Sequence, residues 1–580
     1  AHASVFVTDL DRSIFHGWAG NKVETSSLPF DVGYLVETYQ DNADGFQKIE
    51  RGETGFSLAD YVVKLGLYSK ANAPMDQSLI VKYQHKNETS DQTYLGLSQA
   101  DFEIRPFARY AASQLDQMNN DHDTYQLTHA IEVSETIRVT TIAYRTEFAR
   151  NWEKLDRFDN SALSGLGVCN SLVEILDDPL TCDQEFLVLA GPDGFTSPDD
   201  VLGIRQNNRS YYAQGIQSAV AHDFDLGNIH HSLTASLRYH EDEVDRFQEQ
   251  DQYRMDNGVV VKTTDNAPGT QANRLSDAEA LSGYVEDKIS FGAWQVTAGI
   301  RVEDVETRQT RWSGAARIDA DISRRRANSY TEVLPSLSFL YDINDQLTLL
   351  AGAHKGFAAA SVGSREDQDP EEAIIYEAGG RYNGDNSSVE VIGFFNDYSN
   401  LTGECTNSTG GSECDIGDSF NAGEVDVYGL EVTASTDLAR GTAWEVPVSL
   451  AYTNTNSNIR STFDSGFFGQ VIAGDELAYV PAHQLNLTLG LAKGAWRIDA
   501  SANYVSKTRS EAGQGSIPAN QLIAARTIID LTASYELREG VMLRVKAENL
   551  VDETYVAARQ PYGLRPGKPR EIFAGVTLDF

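Results

Sequence analysis

The four cysteines are the residues whose chemistry is most narrowly set by their spacing. Cys169 and Cys182 fall in one long polar segment, and Cys405 and Cys414 in another. Two such short-range pairs in exported loops read as local disulfides. Zinc coordination would need a CxxC or a neighbouring histidine, and neither stands beside them. The acidic runs Glu241 to Asp245, Asp251, Asp256 and Arg365 to Glu372 offer carboxylates without the spacing of a calcium loop. They read as a solvated, mutually repelling outer surface. His222, His230 and His231 flank a short turn, where a surface or lumen position is expected and metal ligation is not. GxSxG, HExxH, a P-loop and a strand-linked GxGxxG are all absent. Carboxylate pairs abound, but counting does not place them in space. No catalytic residue, metal site or cofactor is therefore assigned, and an enzyme is not expected.

The elements that must position these groups are strands. The 580 residues hold 47 Lys+Arg against 85 Asp+Glu, a formal net charge of −38. That acidity argues against nucleic acid, whose phosphates need a basic face. With 26 Tyr and 24 Phe, the chain is too aromatic for a disordered acidic tail. It lacks any run of roughly 18 apolar residues, which excludes helical membrane spans. No basic and then apolar opening marks a signal peptide. A multidomain soluble β protein and a transmembrane β-barrel remain.

The C-terminus separates the two. Ile572, Ala574, Val576, Leu578 and Phe580 alternate with Glu571, Phe573, Gly575, Thr577 and Asp579, up to the last residue. Just upstream, Val541, Leu543, Val545 and Ala547 alternate with Met542, Arg544, Lys546 and Glu548. Three successive inward charges are costly in a dry core and cheap in a wet lumen. Trp496, Ile498, Ala500, Ala502 and Tyr504 form an apolar stripe with an aromatic at each end. Trp294, Val296, Ala298, Ile300 and Val302 repeat it. Such a stripe spans roughly 26 Å, near the height of the outer-membrane apolar band.

Connections alternate in length. The short ones are Ser134-Glu135, Asp225 to Asn228, Gly292-Ala293, Asn344-Asp345, Gly384-Asp385, Gly494-Ala495 and Arg538 to Gly540. The long ones are Asn87 to Asn120, Asn151 to Asn208, Asp242 to Leu275, Leu401 to Asp418 and Asn456 to Gly474. This layout predicts an all-β, transmembrane antiparallel β-barrel of about 22 strands. Its short turns are periplasmic and its long loops extracellular. Residues 1–580 are expected to form this one barrel domain.

Particular stretches carry a resemblance. Glu548-Asn549-Leu550-Val551-Asp552-Glu553-Thr554-Tyr555, then Arg565 to Arg570 and the terminal aromatic strand, resemble the ending of TonB-dependent outer-membrane receptors. Thr93 to Leu97, Arg109 to Ser113, His354 to Phe357 with Pro370 to Glu372, and Pro481 to Asn486 extend the resemblance, which is nearest the ferric-citrate (dicitrate) branch. The resemblance implies a Gram-negative outer-membrane receptor that binds a small iron chelate as cargo. It implies import energised by the TonB–ExbB–ExbD complex through a plug domain, in a setting of outer-membrane lipid and lipopolysaccharide. The expected first strands lie at once near Ser4 to Thr8 and Ser13 to Gly20, so the plug and the coupling box are expected to be missing from this chain. A fragment, a removed or separate plug and a plugless relative all fit that expectation.

Ferric citrate is anionic, and the guanidinium fork suits carboxylates. If the cargo is of this kind, the loop arginines Arg105, Arg109, Arg246, Arg254 and Arg274 are the candidate ligands, with Tyr94 and Tyr110 as aromatic contacts. The alternative role for each arginine is to neutralise adjacent Asp and Glu or to bind lipopolysaccharide phosphate. A vitamin or oligosaccharide receptor, a passive porin-like channel and an adhesive surface barrel are the other readings.

Overall fold

In a computed structural model, residues 1–163, 167–364, 368–404, 419–465 and 469–580 are described. Cys405 and Cys414 lie outside them, as do Arg365, Glu366 and Asp367. The main sheet holds 24 strands. Two, Leu202–Gln206 and Val259–Thr264, are short insertions at its outer edge. The other 22 form the wall. In chain order these are β1 His2–Thr8, β2 Arg12–Val23, β3 Phe30–Ala43, β4 Phe56–Ser69, β5 Asp76–Ser90, β6 Gln117–Ser134, β7 Ile137–Phe158 and β8 Arg209–Leu226. There follow β9 Ile229–Asp256, β10 Ala272–Phe291, β11 Trp294–Trp312, β12 Ile322–Asn344, β13 Leu347–Ala358, β14 Glu371–Asn383 and β15 Ser387–Glu404. The last are β16 Ser419–Asp437, β17 Pro447–Ile459, β18 His483–Lys493, β19 Trp496–Val505, β20 Arg526–Arg538, β21 Val541–Glu548 and β22 Glu571–Asp579.

Each strand pairs antiparallel with the next. β22 returns to β1 with Val5 opposite Val576 and His2 opposite Asp579. Closure leaves no open edge for lipid to meet, the condition any β structure must satisfy in a bilayer. Both termini lie at one end, where the Phe580 amide donates to Ala1 O at 3.0 Å. No helix among the described residues is long and apolar enough to cross a membrane.

The expected alternation is present. Leu237 is 68% exposed and Trp496 59%, although both lie mid-sheet, so their face meets lipid. Trp294 packs against Tyr341 with ring centroids 4.5 Å apart, and Trp496 against Tyr535 at 4.4 Å. Both pairs follow tight turns at Gly292 and Gly494, where φ is positive. They mark the periplasmic aromatic girdle.

The segment read as a loop from Asp242 to Leu275 is mostly strand. β9 runs on past Tyr239 to Asp256, roughly 55 Å at about 3.3 Å per residue. Its partner β10 begins at Ala272. Above the lipid both faces of this wall are wet, so the apolar signal of a strand disappears while the backbone ladder continues. Glu241, Glu279 and Glu306 stand directly opposite one another across β9, β10 and β11. Arg308 ties that face together, reaching Glu306 at 2.9 Å and Glu279 at 3.2 Å.

Among the described residues the larger dry core lies where loops meet. Leu95 and Leu97, Leu172, Ile175 and Leu176, Val188 and Leu189, and Tyr562 and Leu564 pack with Leu155, Ile204 and Met255. Two of their loops hang from β5 and β7, one strand apart, and the third from β21, and the first and third bridge directly through Leu95–Tyr562 and Leu97–Leu564. They form a cap over the mouth. Cys169 and Cys182 are disulfide-bonded inside it, as the sequence suggested, with Cα atoms 5.7 Å apart. Closing so short a loop stabilises by roughly 3 kcal/mol. Reduction is therefore expected to speed proteolytic cleavage between residues 170 and 181 at least ten-fold relative to the periplasmic turns.

Candidate functional site

Strand register assembles the site. Arg150 of β7 faces Arg209 of β8. Arg209 faces Arg246 of β9, and Arg246 faces Arg274 of β10. Arg274 faces Arg311 of β11, which faces Arg324 of β12. Directly opposed residues share a face, and parity places that face inward, because Leu237 and Tyr239 of β9 mark the odd-numbered positions as outward. Six arginines thus stand in one row across six strands. Like charges opposed across a ladder destabilise it, so such a row needs counter-charges or an anionic ligand to offset it.

Arg209, Arg246, Arg274 and Arg311 line a cavity of about 470 Å³. The short strand Leu202–Gln206, wedged between β7 and β9, brings in Arg205 as the fifth. No carboxylate is among the described residues lining the cavity. Gly269, at φ +86, turns the chain over it, and a Cβ there would meet the Phe247 ring at 2.7 Å. Asn207 holds Arg209 in place, its Oδ1 accepting from Arg209 Nε at 2.7 Å and from Gln248. Arg205 pairs with Asp156. Neither Arg150 nor Arg209 makes an ion pair among the described residues. The local field is positive. Burial raises the Tyr211 phenol, yet Arg209 and Arg150 outweigh it and hold the group below its ordinary value.

Of the arginines named from sequence, Arg246 and Arg274 meet at this cavity. Arg109 is buried and donates to the carbonyls of Asp91 at 2.6 Å and Ser113 at 2.9 Å, so it builds the loop. Arg105 pairs with Asp101 at 3.1 Å. Arg254 pairs with Asp199 at 3.0 Å and Asp256 at 3.2 Å. Tyr110 is buried in the cap and donates to Asp101 at 2.6 Å. Tyr94 meets Trp152 edge-on at 4.7 Å and carries the Lys154 ammonium over its ring at 3.5 Å. Sequence reading missed Arg150, Arg205, Arg209, Arg311 and Arg324. The signal is a register match, which no single strand contains. A second cavity, about 260 Å³, lies beside β2 to β5 and the start of β22. Its Arg12 is matched by Asp41 at 2.8 Å, and its Lys568 by Glu548 at 2.6 Å.

Two buried groups fasten the cap to the wall beside the row. Asp116 accepts from the Leu155 amide at 2.7 Å and from Thr93. Burial raises its carboxyl to about 7. Desolvation lowers the Lys154 ammonium to about 7. Between pH 4 and 7 the unfolded chain holds fewer protons at Asp116 than the folded one, so cap stability falls as pH rises through that window. Asp116→Asn is expected to flatten this slope, read by protection of cap amides from hydrogen exchange after correction for intrinsic rates.

The closed barrel, its lipid-facing stripes and its loop-capped lumen define an outer-membrane receptor barrel. The family described as TonB dependent receptor-like, beta-barrel matches residues 58–550. The chain belongs to that family, and it is a barrel of the outer membrane. It is 25% identical over 379 residues to the metal-pseudopaline receptor CntO of Pseudomonas aeruginosa, a match covering 62% of this chain and 50% of that protein. The chain spans about half the length of the curated relatives it matches. Among solved structures, the siderophore receptor PiuA of Acinetobacter baumannii superposes with a TM-score of 0.75 at 13% identity, covering 100% of this chain and 81% of PiuA. The ferric citrate transporter FecA in its unliganded form gives 0.72 at 16% identity, covering 100% and 78%.

Proposed function

We propose that, within the complete receptor, this barrel binds an anionic metal chelate at its outer mouth and imports it. The cargo is ferric citrate or another carboxylate-bearing siderophore. The TonB–ExbB–ExbD complex, acting through a plug domain, supplies the energy, and the barrel sits among outer-membrane lipid and lipopolysaccharide. One observation carries the reading: strand register brings Arg209, Arg246, Arg274 and Arg311, with Arg205, around one cavity of about 470 Å³, in a chain of net charge −38. Guanidinium forks bind carboxylates in pairs of parallel hydrogen bonds. A site for a neutral sugar would be lined with aromatic faces and amides instead. The relatives that bind ferric citrate and metal-pseudopaline support a metal chelate as the class. No covalent step is involved.

The test is growth. A strain lacking its other iron receptors and carrying the full-length gene is expected to grow on ferric citrate or a polycarboxylate siderophore as sole iron source. It is expected not to grow on an uncharged chelate. Rescue by uncharged chelates alone contradicts the proposal.

A further inference from the structure

The smaller cavity, of about 260 Å³, differs in character from the arginine cavity. Its wall residues face the lumen: on β2, β4 and β22, Arg12, Phe56 and Glu571 have the opposite parity to the lipid-exposed Phe15, Tyr61 and Ile572. Its roof is the join between two cap loops, where Leu97 and Leu564 exchange backbone hydrogen bonds of 2.8 and 2.7 Å. Phe46, Phe56, Leu95, Leu97 and Leu564 make the lining largely apolar. An apolar chamber with a few fixed charges is the usual form of a small-molecule site.

Five charged side chains line it, and four of them are matched. Arg12 holds Asp41 through two hydrogen bonds of 2.8 Å. Lys568 pairs with Glu571 and with Glu548. Asp91 accepts from Gln117 at 2.9 Å and lies in the field of the buried Arg109. The fifth is Arg565, whose side chain makes no ion pair or hydrogen bond among the described residues. Burial lowers its guanidinium below the ordinary value, and the groups that oppose this are the Tyr94 and Tyr479 phenols rather than a carboxylate. A half-buried guanidinium without a counter-charge is costly until an anion meets it.

We propose that this cavity binds a small apolar monocarboxylate, with its carboxylate on Arg565 and its body between Phe46, Phe56 and Leu97. One guanidinium fork serves one carboxylate, and the other lining cations are already matched, so a single negative charge is selected. At the roughly 30 Å³ that a water molecule occupies, the space takes about nine non-hydrogen atoms, the size of benzoate. A ligand held there touches both roof and wall, so its binding stabilises the closed cap by mass action. The site is separate from the arginine cavity and does not rest on the chelate reading.

Benzoate, benzamide and acetate are titrated by calorimetry into the complete receptor in detergent, and hydrogen exchange is followed at the roof amides of residues 95–97 and 562–564. Benzoate is expected to bind at least ten-fold more tightly than benzamide, which lacks the charge, and than acetate, which lacks the apolar body. It is expected to slow exchange at the roof three-fold or more. Arg565→Gln is expected to bring benzoate down to the level of benzamide. Equal affinity for benzoate and either analogue overturns the proposal, as does slowed exchange confined to β8–β11 around the arginine cavity, and neither result depends on a variant folding. Benzoate binding by Arg565→Gln as tight as wild type overturns it too.

Discussion

Replacing Arg246 and Arg274 together with Ala is expected to weaken ferric citrate binding by a factor of about 10²–10⁴ while the barrel still folds. Charge-assisted hydrogen bonds contribute about 1.5–3 kcal/mol each, and the two residues face each other across β9 and β10 at the cavity. Folding should survive because the substitution also relieves like-charge opposition in the ladder. Arg274→Glu is expected to do more than the Ala variant, since it sets a carboxylate among Arg209, Arg246 and Arg311 that competes with the cargo. Equilibrium binding by the purified barrel checks both. Affinity within three-fold of wild type for the double variant removes these residues from the site.

The second large effect concerns the wall. Ile300 lies within the apolar stripe of β11 and is 49% exposed, on the side that meets lipid. An arginine placed there is expected to cost about 2–4 kcal/mol of folding stability in the bilayer. Thr297 is three residues away on the same strand and, by parity, faces the lumen. Thr297→Arg is expected to cost less than about 1 kcal/mol, because water already reaches that face. Urea midpoints for refolding into lipid vesicles read both variants. Equal losses would mean that the two faces of β11 do not differ as described.

The parts of the fold that touch lipid were legible in the sequence. The stripes of Trp294 and Trp496 and the terminal run to Phe580 are required by the bilayer, so they are written as strict alternation. The tight turns at Gly292 and Gly494 fell where they were read. The wall above the membrane was not legible. Glu241, Glu243 and Asp245 looked like loop because water on both faces removes the constraint on residue type. The cap core also escaped notice, although Leu172, Ile175 and Leu176, with Val188 and Leu189, are apolar groups at helical spacing inside a supposed loop. They find their partners in other loops, such as Leu95 and Leu564.

The site was half legible for a related reason. Charge logic pointed to arginines in an acidic chain and named Arg246 and Arg274. It equally named Arg105, Arg109 and Arg254, whose donors are taken by Asp101, by backbone carbonyls and by Asp199 with Asp256. Which arginines converge depends on which residue of one strand lies opposite which residue of the next. That register is set by turn lengths and barrel closure over hundreds of residues, and it is what brings Arg209 and Arg311 to the same level as the two that were named.

The central claim is that a row of lumen-facing arginines selects cargo by negative charge. Titration calorimetry of the detergent-solubilised barrel with a charge series of iron chelates, from anionic ferric citrate to a neutral hydroxamate complex, tests it most directly. The expected result is binding of the anionic chelates only, with affinity falling at least ten-fold between 50 mM and 500 mM salt as the fixed charges are screened. Equal affinity for the neutral complex, unmoved by salt, would contradict the account.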